Sequence, residues 1–326
     1  MNILLTGASG FLGSHLCRRL GADGHTVTVL HRSTSNLAPL KDLHIRHEVG
    51  EITDAADVDR ATRDQEIVIH AAAAMMSTCT TRDVVYKVNV EGTRNVVQGC
   101  LRNGVRRLLH VSSVAAIGIP DEPMKPANEN FVFNLASSGL HYHISKFKAE
   151  AAVREAIGQG LDAVIVNPTG LHGPAAVFYR GGDIVKYVRQ NRILRYSSGG
   201  VCVVHVEDVV NGLMSALHQG ITGNRYILGG ENLSFLQMMQ KAASALQLKR
   251  IYLAIPAAAS KLSASAAASM MAFRRNSFSS AYANYYCASR WSFYDSSKAR
   301  RAFGFDARPY EVILDESIRF VGAKSA

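Results

Sequence analysis

Residues 2–16, NILLTGASGFLGSHL, carry an apolar strand-like run straight into three evenly spaced glycines, Gly7, Gly10 and Gly13, and then into a segment with helical periodicity. Few folds send a strand into a helix through such a turn. Glycine permits positive φ in the turn, lets the backbone approach a pyrophosphate and allows close helix–sheet packing. The helix N-terminus then offers unpaired N–H groups to an anion. The spacing is GxxGxxG rather than the more common GxGxxG. Its position at the first strand–helix junction is what points to a dinucleotide site.

The same alternation continues. TVTVL (26–30), LHIRHEV (43–49), EIVIHA (66–71), RLLHVSS (107–113) and DAVIVNP (162–168) read as strands, most of them nearly continuous apolar runs expected of strands buried on both faces. Segments 11–22, 55–62, 81–102 and 142–158 read as helices. Such a βαβ series predicts an α/β fold with a doubly wound, Rossmann-type parallel sheet and right-handed crossovers. After residue 170 the rhythm breaks into glycine-containing loops, HGP and RGG, and a short helix. VCVVHVEDVV (201–210) and NRYILGG (224–230) read as further sheet material. The Ala/Ser-rich stretch 256–272 reads as a packing helix of a smaller domain. The expected division is a nucleotide-binding domain over 1–170 and 201–229, and a smaller, mostly C-terminal substrate-binding domain over 171–200 and 230–326.

The end of the second strand decides the adenosine ribose contact. An acid there accepts from the 2′-hydroxyl of NAD, whereas arginine pairs with the 2′-phosphate of NADP. This chain reads VLHRSTS, with Arg32 at that place and Ser33 and Lys41 nearby. NADP is favoured and NAD remains open.

Bulk composition narrows the alternatives. At 326 residues and 48% hydrophobic, the chain can bury a sizeable core. Lys and Arg number 36 against 26 acids, a net charge of +10. The basic clusters VRRLLH, FRRN and KARRAF are short and separate, and none alternates with aromatics as a nucleic-acid groove requires. The cysteines, Cys17, Cys79, Cys100, Cys202 and Cys287, are odd in number and lack a CxxC pair, which suggests reduced thiols in a cytoplasmic protein. No signal peptide or bilayer-length apolar run is expected. His141, His143, His172 and His205 lie on different elements without ligand spacing, so no metal is expected.

HYHISKFKAE (141–150) places Tyr142 four residues before Lys146 on one helical face. A cation beside a phenol favours phenolate and lowers its pKa, so Lys146 is expected to tune Tyr142 for proton exchange near neutral pH.

Taken in order, TGASGFLG, GEITD, HAAA (70–73), NVEGTRN (89–95), VSSVAAIG (111–118), the Tyr142-to-Lys146 spacing, NPTGLHGP (167–174) and HVEDVV (205–210) resemble the extended short-chain dehydrogenase/reductases of the NAD-dependent epimerase/dehydratase group. The resemblance covers most of the chain. It implies Ser113, Tyr142 and Lys146 as catalytic residues, with Lys146 also holding the nicotinamide ribose. It implies cofactor contacts from Gly7, Ser9, Gly10, Phe11, Leu12, Gly13, Arg32, Glu51, Ile52, Ala71, Ala72, Ala73, Asn89, Ser112, Pro168, Thr169, Gly170 and Leu171. Glu51 stands where the family commonly has Asp. NPTGLHGP and YDSSKARRAFGF (294–304) are most similar to the dihydroflavonol reductase and 3β-hydroxysteroid dehydrogenase side, whose members act on fairly apolar ketones or alcohols.

The resemblance therefore implies an NADP-dependent oxidoreductase acting on a small molecule. Two other readings stay open, an NAD-retaining sugar-nucleotide epimerase and a non-catalytic NADP-sensing protein. A homodimer is implied through the segments 81–102 and 142–158. Substrate choice is expected to lie in 172–200 and 253–293.

Overall fold

A computed structural model describes residues 1–75, 81–175, 179–256 and 286–323. Its main sheet has seven parallel strands: β1 (Asn2–Thr6), β2 (Thr26–His31), β3 (Arg46–Val49), β4 (Ile67–His70), β5 (Arg107–Val111), β6 (Ala163–Pro168) and β11 (Arg225–Leu228). They lie in the order β11-β6-β5-β4-β1-β2-β3. The chain runs outward from β1 to β3 and then returns to place β4 beside β1. The C-terminal ends of β1 and β4 thus flank the topological switch point, where open α/β sheets bind ligands.

Both faces of the sheet are covered, which is why its inner strands read as continuous apolar runs. On one face, Leu12, Leu16, Cys17 and Leu20 of α1 (Phe11–Ala22) join Val209, Val210, Leu213 and Leu217 of α7 (Val206–Gln219) in one core. On the other, α2 (Ala55–Thr62), α4 (Gly92–Arg102) and α5 (His141–Gly158) pack Val58, Val96, Val97 and Val153 against Leu4, Val68, Leu108 and Ile165.

The segment expected as one helix over 81–102 is divided. A turn of α3 (Arg82–Tyr86) leads through a π-helical stretch, Lys87–Glu91, into α4. The wider turn inserts Asn89, whose side chain is tied elsewhere, as described below.

A second sheet joins β7 (Gly170–Pro174), β8 (Tyr179–Arg180), β10 (Gly200–His205), β12 (Glu231–Ser234) and β14 (Trp291–Ser292). β9 (Ile193–Tyr196) pairs with β13 (Ile251–Ala254). α6 (Asp183–Gln190), α8 (Phe235–Ala245) and α10 (Tyr310–Ala323) supply Val185, Val188, Met238, Met239, Ile313 and Leu314 to a separate core with Leu194, Val203 and Leu233. β6 continues into β7 across Thr169, and β11 into β12 across Gly229 and Gly230, so the chain passes directly between the sheets.

β10 stands in this second sheet, while α9 (Ser297–Phe303) places Ala299 and Phe303 in the core of the first. VCVVHVEDVV is strand only as far as His205. The His205 ring accepts the Glu207 N–H at 3.2 Å, capping α7, and VEDVV, with Val206, Val209 and Val210 at i, i+3 and i+4, is helical. Nearly all of the Ala/Ser stretch 256–272 lies outside the described residues.

Candidate active site

The glycine turn is built by exclusion of side chains. Gly7 has φ +79°, and a Cβ on it would stand 2.6 Å from the Ala72 nitrogen and 2.7 Å from the Ala71 carbonyl oxygen. A Cβ on Gly13 would overlap the Gly7 carbonyl oxygen. These glycines therefore let β1, α1 and the end of β4 close on one another. Gly10 caps α1 with no side chain, and the first turn, containing Phe11, Leu12 and Gly13, carries no acid. Its N–H groups and the positive helix end remain available beside Ser9, an arrangement that fits a dinucleotide pyrophosphate. His15 fixes the helix by bonding Glu207 of α7 and, at 2.9 Å, the Pro174 carbonyl. Burial opposes its protonation, but these two acceptors outweigh it and its pKa is raised.

Arg32 follows the last residue of β2, is exposed, and pairs with no side chain among the described residues. His31 beside it meets His47 across β3, nitrogen to nitrogen, at 3.2 Å. Ser33 and Lys41 are also exposed. Glu51 accepts from Thr53 at 3.1 Å, and Ile52 packs against Gly92 while its carbonyl accepts from Asn95 at 2.9 Å.

At the end of β4, Thr6 Oγ1 accepts the Ala72 N–H at 3.2 Å and donates to His70 Nδ1 at 2.7 Å. Thr93 donates to the Asn89 carbonyl, leaving its oxygen to accept from His70 Nε2 at 3.0 Å. His70 is thereby held as one neutral tautomer; burial drives its pKa down to about 3, with the Lys146 charge adding to the effect. Asn89, in the π-helical stretch, bonds both backbone groups of Ala74 and donates to Ser145 Oγ at 2.9 Å; Ser145 in turn donates to the Tyr142 carbonyl. Asn89 thus joins the Ala71–Ala74 loop to the start of α5.

The catalytic candidates meet at the ends of β5 and α5. Ser113 starts a single 3₁₀ turn, accepts from Ala115 N at 3.2 Å, and bonds the Tyr142 phenol. Lys146 is 2% exposed and donates to the Val111 carbonyl at 3.1 Å. Burial lowers its pKa to about 8, with Glu150 opposing.

The expectation that Lys146 acidifies Tyr142 is corrected here. Burial raises the phenol above its ordinary value, and what offsets this is the Ser113 hydrogen bond and the charge of Arg180. The lysine ammonium is turned toward the end of β5. Arg180, on β8, was not singled out from the sequence.

Glu150 was also missed, although it continues the spacing of Tyr142 and Lys146 by four. Fully buried, it accepts from Ser112 Oγ at 2.7 Å and Asn167 Nδ2 at 2.6 Å, and pairs with Arg154 at 2.7 Å and Arg225 at 3.4 Å. The side chain of Ser112 is directed to this carboxylate. Pro168, Thr169, Gly170 and Leu171 form the β6–β7 passage, where Gly170 lies against the Cys202 carbonyl.

Burial is the first cause lowering the pKa of His141, His143, His172 and His205, with His143 and His172 near 4. Among the described residues no cluster of three or more His, Cys, Asp or Glu is placed to hold a metal, and no helix is long and apolar enough to cross a membrane.

Residues 3–229 match the sequence pattern of the NAD dependent epimerase/dehydratase family. The chain is 33% identical over 258 residues to sterol demethylase protein B of Methylococcus capsulatus, covering 78% of each protein. It is 33% identical over 235 residues to a putative dihydroflavonol 4-reductase of Synechocystis, covering 71% of this chain and 68% of that one. The crystal structure of gox2253 superposes with a TM-score of 0.82 at 28% identity, covering 99% of this chain and 98% of the other.

Proposed function

The chain belongs to the NAD-dependent epimerase/dehydratase family, and from that premise we propose that it is an NADP-dependent carbonyl reductase acting on a largely apolar small molecule. The observation that carries this reading is the convergence of Ser113, Tyr142 and Lys146 beside the glycine turn, at the C-terminal edge of a parallel sheet. The nicotinamide, when bound, supplies the hydride that reaches the carbonyl carbon.

The chain's own residues handle the oxygen and its proton. Tyr142, its pKa raised by burial, keeps its proton at neutral pH. It is thus poised to give that proton to a carbonyl oxygen as negative charge develops there, completing an alcohol. Ser113 donates to the same oxygen. Lys146, charged below about pH 8, orients the ribose. Arg32 selects NADP.

A homodimer assembled through α3, α4 and α5 accompanies this reading, as does a cytoplasmic setting in which Cys17, Cys100, Cys202 and Cys287 stay free thiols. The test is NADPH consumption across a panel of ketones, with Tyr142→Phe as control. Turnover is expected to fall by about 10²-fold or more in the variant, with NADPH affinity kept. Purified protein that retains NAD and consumes no NADPH refutes the reading.

A further inference from the structure

β9 and β13 pair in parallel as a two-stranded sheet of their own, with Ile193 opposite Ile251 and Arg195 opposite Leu253. Successive residues of a strand point to opposite sides of the sheet, and register partners point to the same side. Leu194 and Tyr252 therefore face inward, into the core shared with α6 and α8. Ile193, Ile251 and Leu253 face outward together with Arg195, and the three apolar side chains are 50%, 54% and 51% exposed. Ile255 prolongs the row: its N–H donates to the Tyr196 carbonyl at 2.7 Å and it is 36% exposed. Single exposed apolar residues are ordinary, whereas neighbours on one sheet face, rimmed by polar groups, mark an interaction surface.

The rim of this surface is basic and carries no acid. From residue 184 to 206 and from 232 to 256 the chain contains neither Asp nor Glu. Arg192 and Lys249 stand just before the two strands, and both are exposed, as is Arg195. Among the described residues the side chains of these three cations donate no hydrogen bond and join no ion pair. Arg250 and Lys186, by contrast, serve the fold. Arg250 donates to the Val188 carbonyl at 2.7 Å and to the Arg189 carbonyl at 3.2 Å, closing the end of α6, and Lys186 pairs with Asp183 at 3.6 Å.

We infer that this face of β9 and β13 docks on the surface of an anionic lipid bilayer. Ile193, Ile251, Leu253 and Ile255 enter the boundary between headgroups and acyl chains, while Arg192, Arg195 and Lys249 meet the lipid phosphates and carboxylates. Buried apolar area and attraction to anionic lipid together set the strength of such a contact. A nucleic-acid strand calls for aromatic stacking platforms and a protein interface draws on Trp and Tyr anchors, and the outward row supplies neither. The inference is independent of the reductase reading, because it concerns where the protein sits and not what it reduces.

The test is sedimentation of the full chain with vesicles of phosphatidylcholine alone and of phosphatidylcholine with about 30 mol% phosphatidylserine. Binding to the anionic vesicles is expected to be at least about tenfold tighter and to weaken as salt is raised. Ile251→Thr combined with Leu253→Thr, and separately Arg192→Gln combined with Arg195→Gln, should each weaken it by about tenfold or more. All four side chains are exposed, so both variants should melt close to the wild type. Arg300→Gln combined with Arg301→Gln, an equal loss of exposed charge on α9, should bind as the wild type does. No binding to anionic vesicles, equal binding to both kinds, or binding that survives the threonine substitutions overturns the proposal. Equal weakening by the α9 substitutions also overturns it, by showing that net charge alone is at work. If vesicles are not bound and the threonine substitutions instead lower the mass measured by light scattering, the face joins two copies of the chain and the proposal falls. NADPH consumption enters none of these readouts, so each outcome leaves the reductase reading to its own test.

Discussion

The carboxylate of Glu150 accepts a 2.6 Å hydrogen bond from Asn167, and the same amide group donates to the Ser113 carbonyl at 2.9 Å. A single buried anion on α5 therefore reaches the backbone of the serine that bonds the phenol. It also pairs with Arg154 and Arg225. Removing one member of a buried ion pair leaves the others desolvated and unpaired, a loss of about 3–5 kcal/mol. Arg154 is part-exposed and can turn to water, so Glu150→Gln is expected to cost about 3 kcal/mol, at the lower end of that range. Urea unfolding at pH 7 checks it; a loss below about 1 kcal/mol means that the network is not stabilising.

Lys146 predicts a pH dependence with a definite sign. Its folded-state pKa is about 8, below the ordinary 10.5. Below pH 8 the amine is charged in both folded and unfolded chains, and the fold bears the full penalty of burying it. Between about pH 8 and 10.5 the unfolded chain holds more protons, so stability rises with pH. Lys146→Met should therefore be more stable than wild type at pH 7, by up to about 3 kcal/mol, and the difference should shrink toward pH 10. Turnover should fall in the same variant. Unfolding both proteins at the two pH values measures it, and a constant difference between them refutes the assignment.

Gly13 tests the turn itself. A methyl group there would meet the Gly7 carbonyl and, at 2.8 Å, the Ala8 Cα, and backbone cannot swing aside as a side chain does. Gly13→Ala is expected to destabilise the protein by about 1–3 kcal/mol and to weaken NADPH binding. Calorimetric melting and a cofactor titration read the two effects. Unchanged values in both would mean that the turn tolerates a wider approach.

What the sequence made legible follows from how local each signal is. The strands at Asn2–Thr6 and Ala163–Pro168 announce themselves because burial on both faces demands uninterrupted apolar residues. The glycine turn does so because its constraint is carried by three neighbouring residues. Val206 onward misleads, since VEDVV follows the apolar run VCVV without a turn signal and its first residues are shared by both elements; the cap from His205 marks where the helix begins. Glu150 lies on a legible helical face, but its partners Ser112, Asn167 and Arg225 come from three other segments. Arg180 needs the pairing of β7 with β8 before it reaches Phe11 at all. Side chains whose partners are set by tertiary contacts carried no local pattern to read.

The proposed choice of NADP rests on Arg32. It follows β2, exposed and pairing with no side chain among the described residues, so its guanidinium is free to meet a 2′-phosphate that NAD lacks. A charge-assisted hydrogen bond to a phosphate is worth about 1.5–3 kcal/mol, or about one to two decades in affinity. NADPH should therefore bind more tightly than NADH, and because the arginine is exposed the margin should shrink as salt is raised. Arg32→Asp should reverse the order, since a carboxylate repels the phosphate yet accepts from a ribose hydroxyl. Four titrations, NADPH and NADH against wild type and variant, provide the measurement. Equal affinities in the wild type, or an unchanged ratio in the variant, would show that Arg32 does not face the ribose and would remove the charge argument for NADP.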